Sequence, residues 1–307
     1  MSREIIVICG PTAVGKTKYA IETALHVGGE VVSCDSMQLY KYMDIGSAKP
    51  TPEEQRQVRH YLVDEIDPRE SFSVAKYQRL AKAAIEESFS KGKTPVIAGG
   101  TGLYLNSLLY DMDFSAPPMD TSYRDALYAE AEEKGAQSLH DRLRAVDPDS
   151  AERIHPNNVK KVIRALEAAE SGDRVKDFAT ELKPCTDYDV RLIGLTRDRS
   201  ELYERINLRV DVLVEAGLLD EVRALLDMGL SESDISMKGI GYKEIIGYYN
   251  GEYDLETALN LVKKNTRRYA KRQLTWFRRY EDMKWFNISE YESDEACLED
   301  IFTWLKK

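Results

Sequence analysis

The sequence predicts an α/β fold: a P-loop parallel sheet core flanked by helices, interrupted by an all-helical insertion domain. Three observations predict it. Residues 10–17 read Gly-Pro-Thr-Ala-Val-Gly-Lys-Thr, a complete G-x-x-x-x-G-K-T phosphate loop set between an apolar run and a helical pattern. Strand-like runs at 4–9, 30–34 and 94–98 alternate with helical spacing, the pattern of a parallel sheet covered by helices. The alternation stops near Ala116-Pro117-Pro118, and from about 120 to 184 the pattern is helical only, before a strand-like run at 190–195 returns the chain to the sheet. The expected organisation is therefore a core of residues 1–115 and 189–307 and a helical insertion of residues 116–188.

The phosphate loop comes first. Its glycines, Gly10 and Gly15, let backbone N–H groups converge on phosphate oxygens, and the following helix adds a favourable dipole. Thr12, Ala13 and Val14 complete the cradle, Lys16 reaches the terminal phosphates, and the Thr17 hydroxyl suits Mg²⁺. Such a loop specifies a polyphosphate without specifying ATP. Asp35 follows the run 30–34, expected to pair directly with the phosphate-loop strand, so its carboxylate would enter the phosphate cleft. There it would serve Mg²⁺ through water or accept a proton from a nucleophile, unless it merely caps the next turn. Ser36 and Gln38 offer donors and acceptors suited to a base edge.

A helix is expected at 74–91, with Val74, Tyr77, Leu80, Ala81, Ala84 and Ile85 on one face and Gly92 at its end. After the third strand, Gly99, Gly100 and Gly102 surround Thr101, a pattern expected to admit a ligand close to the backbone and to aim the Thr101 hydroxyl at a leaving group. No apolar run ends in a convincing Walker-B aspartate, and no nucleotide-kinase lid is evident. Diphosphate binding without ATP hydrolysis fits better.

Within the insertion, helices are expected at 123–134, 138–146 and 159–169, with residues 155–158 forming a turn and cap. Beyond Asp198 come long helices broken at Gly217, Gly229, Gly239, Gly241 and Gly251. Arg205 and Arg209 lie four apart on one helix face, either a clamp for diphosphate or partners of Glu201 and Glu204. The last long helix, 254–279, has a buried stripe of Ala270, Leu274 and Phe277 and another face of Arg268, Arg272, Thr275 and Arg279. Residues 263–280 hold eight basic residues and no acidic one, interleaved with aromatics, as a nucleic-acid backbone and stacked bases require. The net charge of −10 over 307 residues conceals this run. A strand end and an amphipathic helix follow from Asn287.

Four scattered cysteines without a C-x-x-C pair, four dispersed histidines, no membrane-length apolar run and no signal-peptide stretch argue against disulfide, zinc and membrane classes. A cytoplasmic protein is expected.

Taken together, GPTAVGKT (10–17), DSMQLYKYMDIGSAKP (35–50), GGTGLY (99–104), HPNN with RALE (155–167), GIGYKE (239–244) and RRYAKRQLTWFR (267–278) resemble the tRNA dimethylallyltransferase family, in order and over most of the chain. With no Cys/His finger, the resemblance is to its bacterial form. It implies transfer of a dimethylallyl group from dimethylallyl diphosphate to N6 of adenosine 37, beside the anticodon of tRNAs reading codons that start with U, with Mg²⁺ assisting. It implies Asp35 as the base, and Thr101, Arg209 and Lys16 as stabilisers of the departing diphosphate. It implies tRNA contacts at Asp35, Ser36, Met37 and Gln38, at Arg124, and at Lys160, Lys161 and Arg164 in the insertion. Further contacts are implied at Lys238, Gly239, Gly241, Tyr242 and Lys243, and at Lys271, Arg272, Gln273, Trp276 and Arg278. The protein is expected to act as a monomer. Ser47 stands where the family commonly has Thr, and Lys160-Lys161 where Gln-Arg is frequent. The residues alone also admit a small-molecule kinase or a prenyltransferase acting on free adenylate. A GTPase-like switch finds no guanine-reading N/T-K-x-D motif.

Overall fold

The computed structural model describes residues 3–112, 114, 121–170, 172 and 183–307. The proline pair at 117–118, where the pattern changes, and the expected boundary at 116 lie outside the described residues. Contacts divide the chain into two units, residues 1–111 with 184–307, and residues 112–183.

The first unit is built on a six-stranded parallel sheet in the order β3-β2-β4-β1-β5-β6. Strand β1 (Glu4–Cys9) is central, and its Ile5, Ile6, Val7, Ile8 and Cys9 are all buried, as a strand covered on both faces requires. Helix α1 (Lys16–Val27) buries Tyr19, Ala20, Ile21 and Ala24 and ends at Gly28 in the left-handed region. Strand β2 (Glu30–Cys34) follows, then the loop carrying Asp35, then α2 (Pro52–Gln57), which opens on a Thr51/Glu54 capping box. Strand β3 (His60–Tyr61) is only two residues long, too short for any period to reveal. Helix α3 (Val74–Ser90) is capped by Ser73, and β4 (Pro95–Gly99) and α4 (Gly102–Leu109) complete this half.

The expected pairing of β2 with β1 is not found: β4 lies between them, so Asp35 approaches the phosphate loop across the end of β4. Gly99, the last residue of β4, makes this possible. It pairs with Cys9 on one side and Cys34 on the other, and a Cβ there would stand 2.0 Å from the Cys34 carbonyl oxygen.

After β5 (Asp189–Thr196) come α9 (Arg199–Glu215), α10 (Leu218–Asp227), α11 (Tyr242–Tyr249), α12 (Leu255–Phe277), β6 (Lys284–Asn287) and α13 (Asp294–Leu305). Gly217, Gly229 and Gly251 separate these helices at positive φ. The second unit comprises α5 (Thr121–Lys134), α6 (Ala136–Val146), α7 (Pro148–Arg153) and α8 (Val159–Glu170). Leu127, Leu139, Leu143, Val162, Ile163 and Leu166 form its core. Short α7 escapes a sequence reading because six residues carry less than two helical turns. Among the described residues no helix is long and apolar enough to cross a membrane.

Replacing Gly99 with alanine should destabilise the first unit by about 2–4 kcal/mol, because the added methyl meets backbone that cannot yield. Urea unfolding followed by circular dichroism checks this, and a loss within about 0.5 kcal/mol would show that β2 and β4 are not held in contact there.

Candidate active site

The phosphate loop lies at the carboxyl end of β1, where open parallel sheets bind ligands. Ala13 and Gly15 both have positive φ, which turns successive peptide groups into a concave nest. The carbonyls are turned away and held: Lys16 Nζ donates to Pro11 O at 2.8 Å, Arg205 Nε to Ala13 O at 3.0 Å, and Arg197 Nε to Val14 O at 3.1 Å. The N–H groups of Gly15, Lys16 and Thr17 reach no backbone acceptor among the described residues, so the start of α1 is left open for an anion. Asp294, at the start of α13, braces this helix by accepting from Lys18 Nζ, Tyr19 OH and Arg197.

Two expectations for this loop change. The Thr12 N–H donates to Gln273 Oε1 at 2.9 Å, leaving the Thr12 side chain, not its amide, facing the adjoining cleft. Gly10 is demanded by packing: a Cβ there would lie 2.5 Å from the Leu195 carbonyl oxygen of β5. Arg205, read as half of a phosphate clamp, instead secures the loop backbone, and Glu201 pairs with Arg197 rather than with Arg205.

Arg209 makes no ion pair among the described residues and lines the cleft. Burial lowers its pKa, opposed by the negative charge of Asp35. Lys16 is lowered to about 8, chiefly by burial, with Asp35 pulling upward and Arg209 pushing downward. Two under-compensated cations flanking one carboxylate make a site whose charge balance calls for an anion. Asp35 does cap its own turn, because Oδ1 accepts from Met37 N at 2.8 Å, but Oδ2 takes no hydrogen bond from the described residues and stays available to a proton. Thr101 Oγ1 accepts from Ser36 N at 3.0 Å, so the Asp35 turn hangs from this side chain, and the Tyr269 hydroxyl lies within its hydrogen-bonding reach.

The glycines around Thr101 do not make room for a ligand. A Cβ on Gly99, Gly100 or Gly102 would meet the Cys34 carbonyl, the Gln273 amide or the Trp276 indole respectively, so protein groups already fill those spaces.

Thr12, Asp35 and Arg209 open onto a cleft of about 440 Å³. One wall is apolar, formed by Phe72, Ile206, Val210, Leu213 and Leu218. Ser36, Met37, Lys238, Gly239, Gly241, Lys243 and Arg272 also border it, so much of the set assigned to nucleic acid converges on one mouth. Tyr242 does not belong there. It is fully buried, and its hydroxyl donates to Glu221 Oε1 at 2.8 Å. Gln38 is committed as well: its Oε1 accepts from Ser33 Oγ and its Nε2 donates to Ala48 O, which takes it away from reading a base edge. Gln273 is buried, with both ends of its amide bound inside the protein. All three side chains are engaged within the protein.

Glu221 escaped the sequence reading. Its carboxylate accepts from the N–H groups of Asp44, Ile45 and Gly46 as well as from Tyr242, pinning the rim that carries Gly46 and Ser47. No motif marks a glutamate whose backbone partners lie more than 170 residues away.

On α12, Ala270 and Phe277 are buried with Leu274 packed beside them, while Arg268, Arg272, Thr275 and Arg279 are all exposed, as their spacing predicts. Lys271 and Arg278 are exposed too, and Trp276 is half-buried against Gly102. Arg268, Lys271, Arg272 and Arg278 form no ion pair among the described residues. In the second unit, Lys160, Lys161 and Arg164 lie on the exposed face of α8. Arg124 makes a bidentate pair with buried Glu167, at 2.6 and 3.1 Å, so its guanidinium is already largely committed.

The sequence profile of the IPP transferase family matches residues 38–280. A tRNA dimethylallyltransferase of Alkaliphilus oremlandii is 53% identical over 98% of this chain and 96% of its own length. One from Clostridioides difficile is 48% identical over 98% and 97%. The crystal structure of a tRNA isopentenylpyrophosphate transferase from Bacillus halodurans superposes with a TM-score of 0.75 at 43% identity, covering 99% of this chain and 96% of the other. A eukaryotic dimethylallyltransferase acting on tRNA reaches a TM-score of 0.82 at 27% identity, covering 98% of this chain and 78% of that one.

The lowered pKa of Lys16 sets a pH dependence with a definite sign. The ammonium form binds an anion, and in the free protein it is lost as pH rises through about 8. Affinity for inorganic pyrophosphate should therefore be complete below that value and fall by up to about tenfold per pH unit above it, whereas Lys16→Arg stays charged and removes the fall. Calorimetric titration of both proteins checks this through the ratio of their affinities, which cancels the ligand's own ionisation; a ratio constant between about pH 6 and 9.5 would contradict it.

Proposed function

The chain belongs to the IPP transferase family, and from that premise we propose that it transfers the dimethylallyl group of dimethylallyl diphosphate to N6 of adenosine 37 in tRNAs reading codons that start with U. It is a prenyl-transferring enzyme that modifies tRNA. One observation carries the assignment of roles: Asp35 lines both the small void that holds Lys16 and Thr17 of the phosphate loop and the adjoining cleft, which has an apolar wall and is bordered by Arg272 of α12.

In this reading the phosphate loop, Lys16 and Arg209 hold the diphosphate, while Phe72, Ile206 and Val210 shelter the five-carbon chain. The adenine amine attacks the first carbon of that chain as its C–O bond breaks, and the electron pair leaves with diphosphate. Negative charge grows on the leaving oxygens, where preorganised donors stabilise it most. Thr101 donates a hydrogen bond from its hydroxyl to that group, and Asp35 Oδ2 takes the proton that the attacking amine sheds. The amine need not be deprotonated beforehand, because attack itself makes it acidic.

Thr17 and Asp35 line a small void of about 40 Å³ beside Lys16. Both offer hard oxygen donors of the kind Mg²⁺ takes, so the residues fit the ion, with Thr17 and the diphosphate oxygens as its holders. When bound, it neutralises charge on the leaving group. Lys271, Arg272 and Arg278 supply phosphate contacts to the anticodon stem-loop, and Lys160, Lys161 and Arg164 of the second unit supply others. An unpaired loop base costs little to extrude into the cleft. The enzyme works as a cytoplasmic monomer on this reading.

Labelled dimethylallyl diphosphate, Mg²⁺ and unmodified tRNA supply the test. Label should enter tRNA; label entering free AMP instead, or ATP turnover without prenyl transfer, would overturn the assignment. Asp35→Asn preserves the acceptor for Met37 N but cannot take a proton, and should lower turnover by about 10²–10⁴-fold with tRNA affinity nearly unchanged. Thr101→Ala should act in the same direction, and a loss confined to tRNA binding would contradict both roles. Arg272→Ala should weaken tRNA binding and reduce the slope of log affinity against log salt by about 0.7–0.9. An unaltered slope would take Arg272 out of the interface.

A further inference from the structure

Gln273 ties the basic helix to both loops of the donor site, and we propose that it is a positioning residue that sets the diphosphate cradle against the proton acceptor. The inference rests on the prenyl-transfer reading. Gln273 is 5% exposed and sits on α12 beside Arg272, which borders the cleft. Its Oε1 accepts from Thr12 N at 2.9 Å in the phosphate loop, and its Nε2 donates to Gly100 O at 2.9 Å in the loop of Thr101. The second loop has no slack: a Cβ at Gly100 would lie 2.2 Å from Nε2, and one turn further along α12 Trp276 fills the equivalent space at Gly102.

The chain of contacts continues to the proton acceptor. Thr101 lies between these two glycines, and its Oγ1 holds Ser36 N, the residue next to Asp35. One buried amide therefore fixes the leaving-group side at Thr12 and, through Gly100 and Thr101, the turn that aims Asp35. Buried and outside the cleft lining, it acts only through these loops. The position demands an amide, with an acceptor at one end and a donor at the other. A glutamate carboxylate would keep the bond to Thr12 but set a negative oxygen against the Gly100 carbonyl. A protonated glutamic acid reproduces both bonds.

That difference provides the test. Gln273→Glu and Gln273→Met are compared with wild type for turnover at saturating tRNA and donor, from about pH 5.5 to 8.5, and for tRNA affinity by filter binding. At about pH 8 both variants should lose about 10- to 100-fold in kcat, the scale of a misplaced reacting pair, with tRNA affinity within about twofold. As pH falls, the ratio of Gln273→Glu to wild type should climb while that of Gln273→Met stays level, because only the carboxyl regains its donor. Should Gln273→Met fail to fold, the rise of the Gln273→Glu ratio decides alone. Loss of tRNA affinity with kcat preserved would make Gln273 an RNA contact and overturn the proposal, and so would an unchanged kcat or a Gln273→Glu ratio that stays level with pH. Absence of prenyl transfer by wild type would instead overturn the reading on which the proposal rests.

Discussion

A loop that binds phosphate through its backbone must show N–H groups and hide carbonyls, and everything else in the site depends on that orientation. The two ends of a peptide group point in opposite directions, so fixing one aims the other. Here the carbonyls of Pro11, Ala13 and Val14 are fixed by three cations, Lys16, Arg205 and Arg197, drawn from the loop's own helix, from α9 and from the segment after β5. Helix dipole and nest geometry then act in the same direction. Two of the three are arginines whose obvious employment, judged by charge, would be to hold the ligand itself.

The free site carries an electrostatic burden. Lys16 and Arg209 are drawn out of water with Asp35 as their shared counter-charge, and burial works against the charged form of each. Such an arrangement costs stability when empty and recovers it when an anion arrives. The acceptor, in turn, is not left to swing: Oδ1 of Asp35 is committed to its own turn, so the remaining oxygen has one direction. Restraint of this kind converts a flexible carboxylate into a directed one.

Much of this was legible in the chain. Apolar runs of five or six residues located β1, β2, β4 and β5, and the spacing of Ala270, Leu274 and Phe277 located the buried side of α12, because burial imposes periods that a sequence displays. Strand order was not legible: nothing in 30–34 tells whether its neighbour is β1 or β4, since both are equally apolar. The glycines of 99–102 looked like space for a ligand and proved to be space for Cys34, Gln273 and Trp276, because a missing side chain does not say what replaces it. The internal bonds of Tyr242, Gln38 and Gln273 were not legible either, because polarity does not distinguish a group that faces outward from one satisfied within. Glu221 was invisible for a related reason: three of its four partners are backbone amides, which nearly every residue possesses.

Asp294 gives the architecture a temporal consequence. The phosphate loop leaves a ribosome well before the carboxylate that braces Lys18, Tyr19 and Arg197. A nascent chain halted after α12 would carry every residue assigned to chemistry and still have an unbraced cradle. Full bracing of the cradle is thereby deferred until α13 has been made, some 275 residues after the helix it steadies.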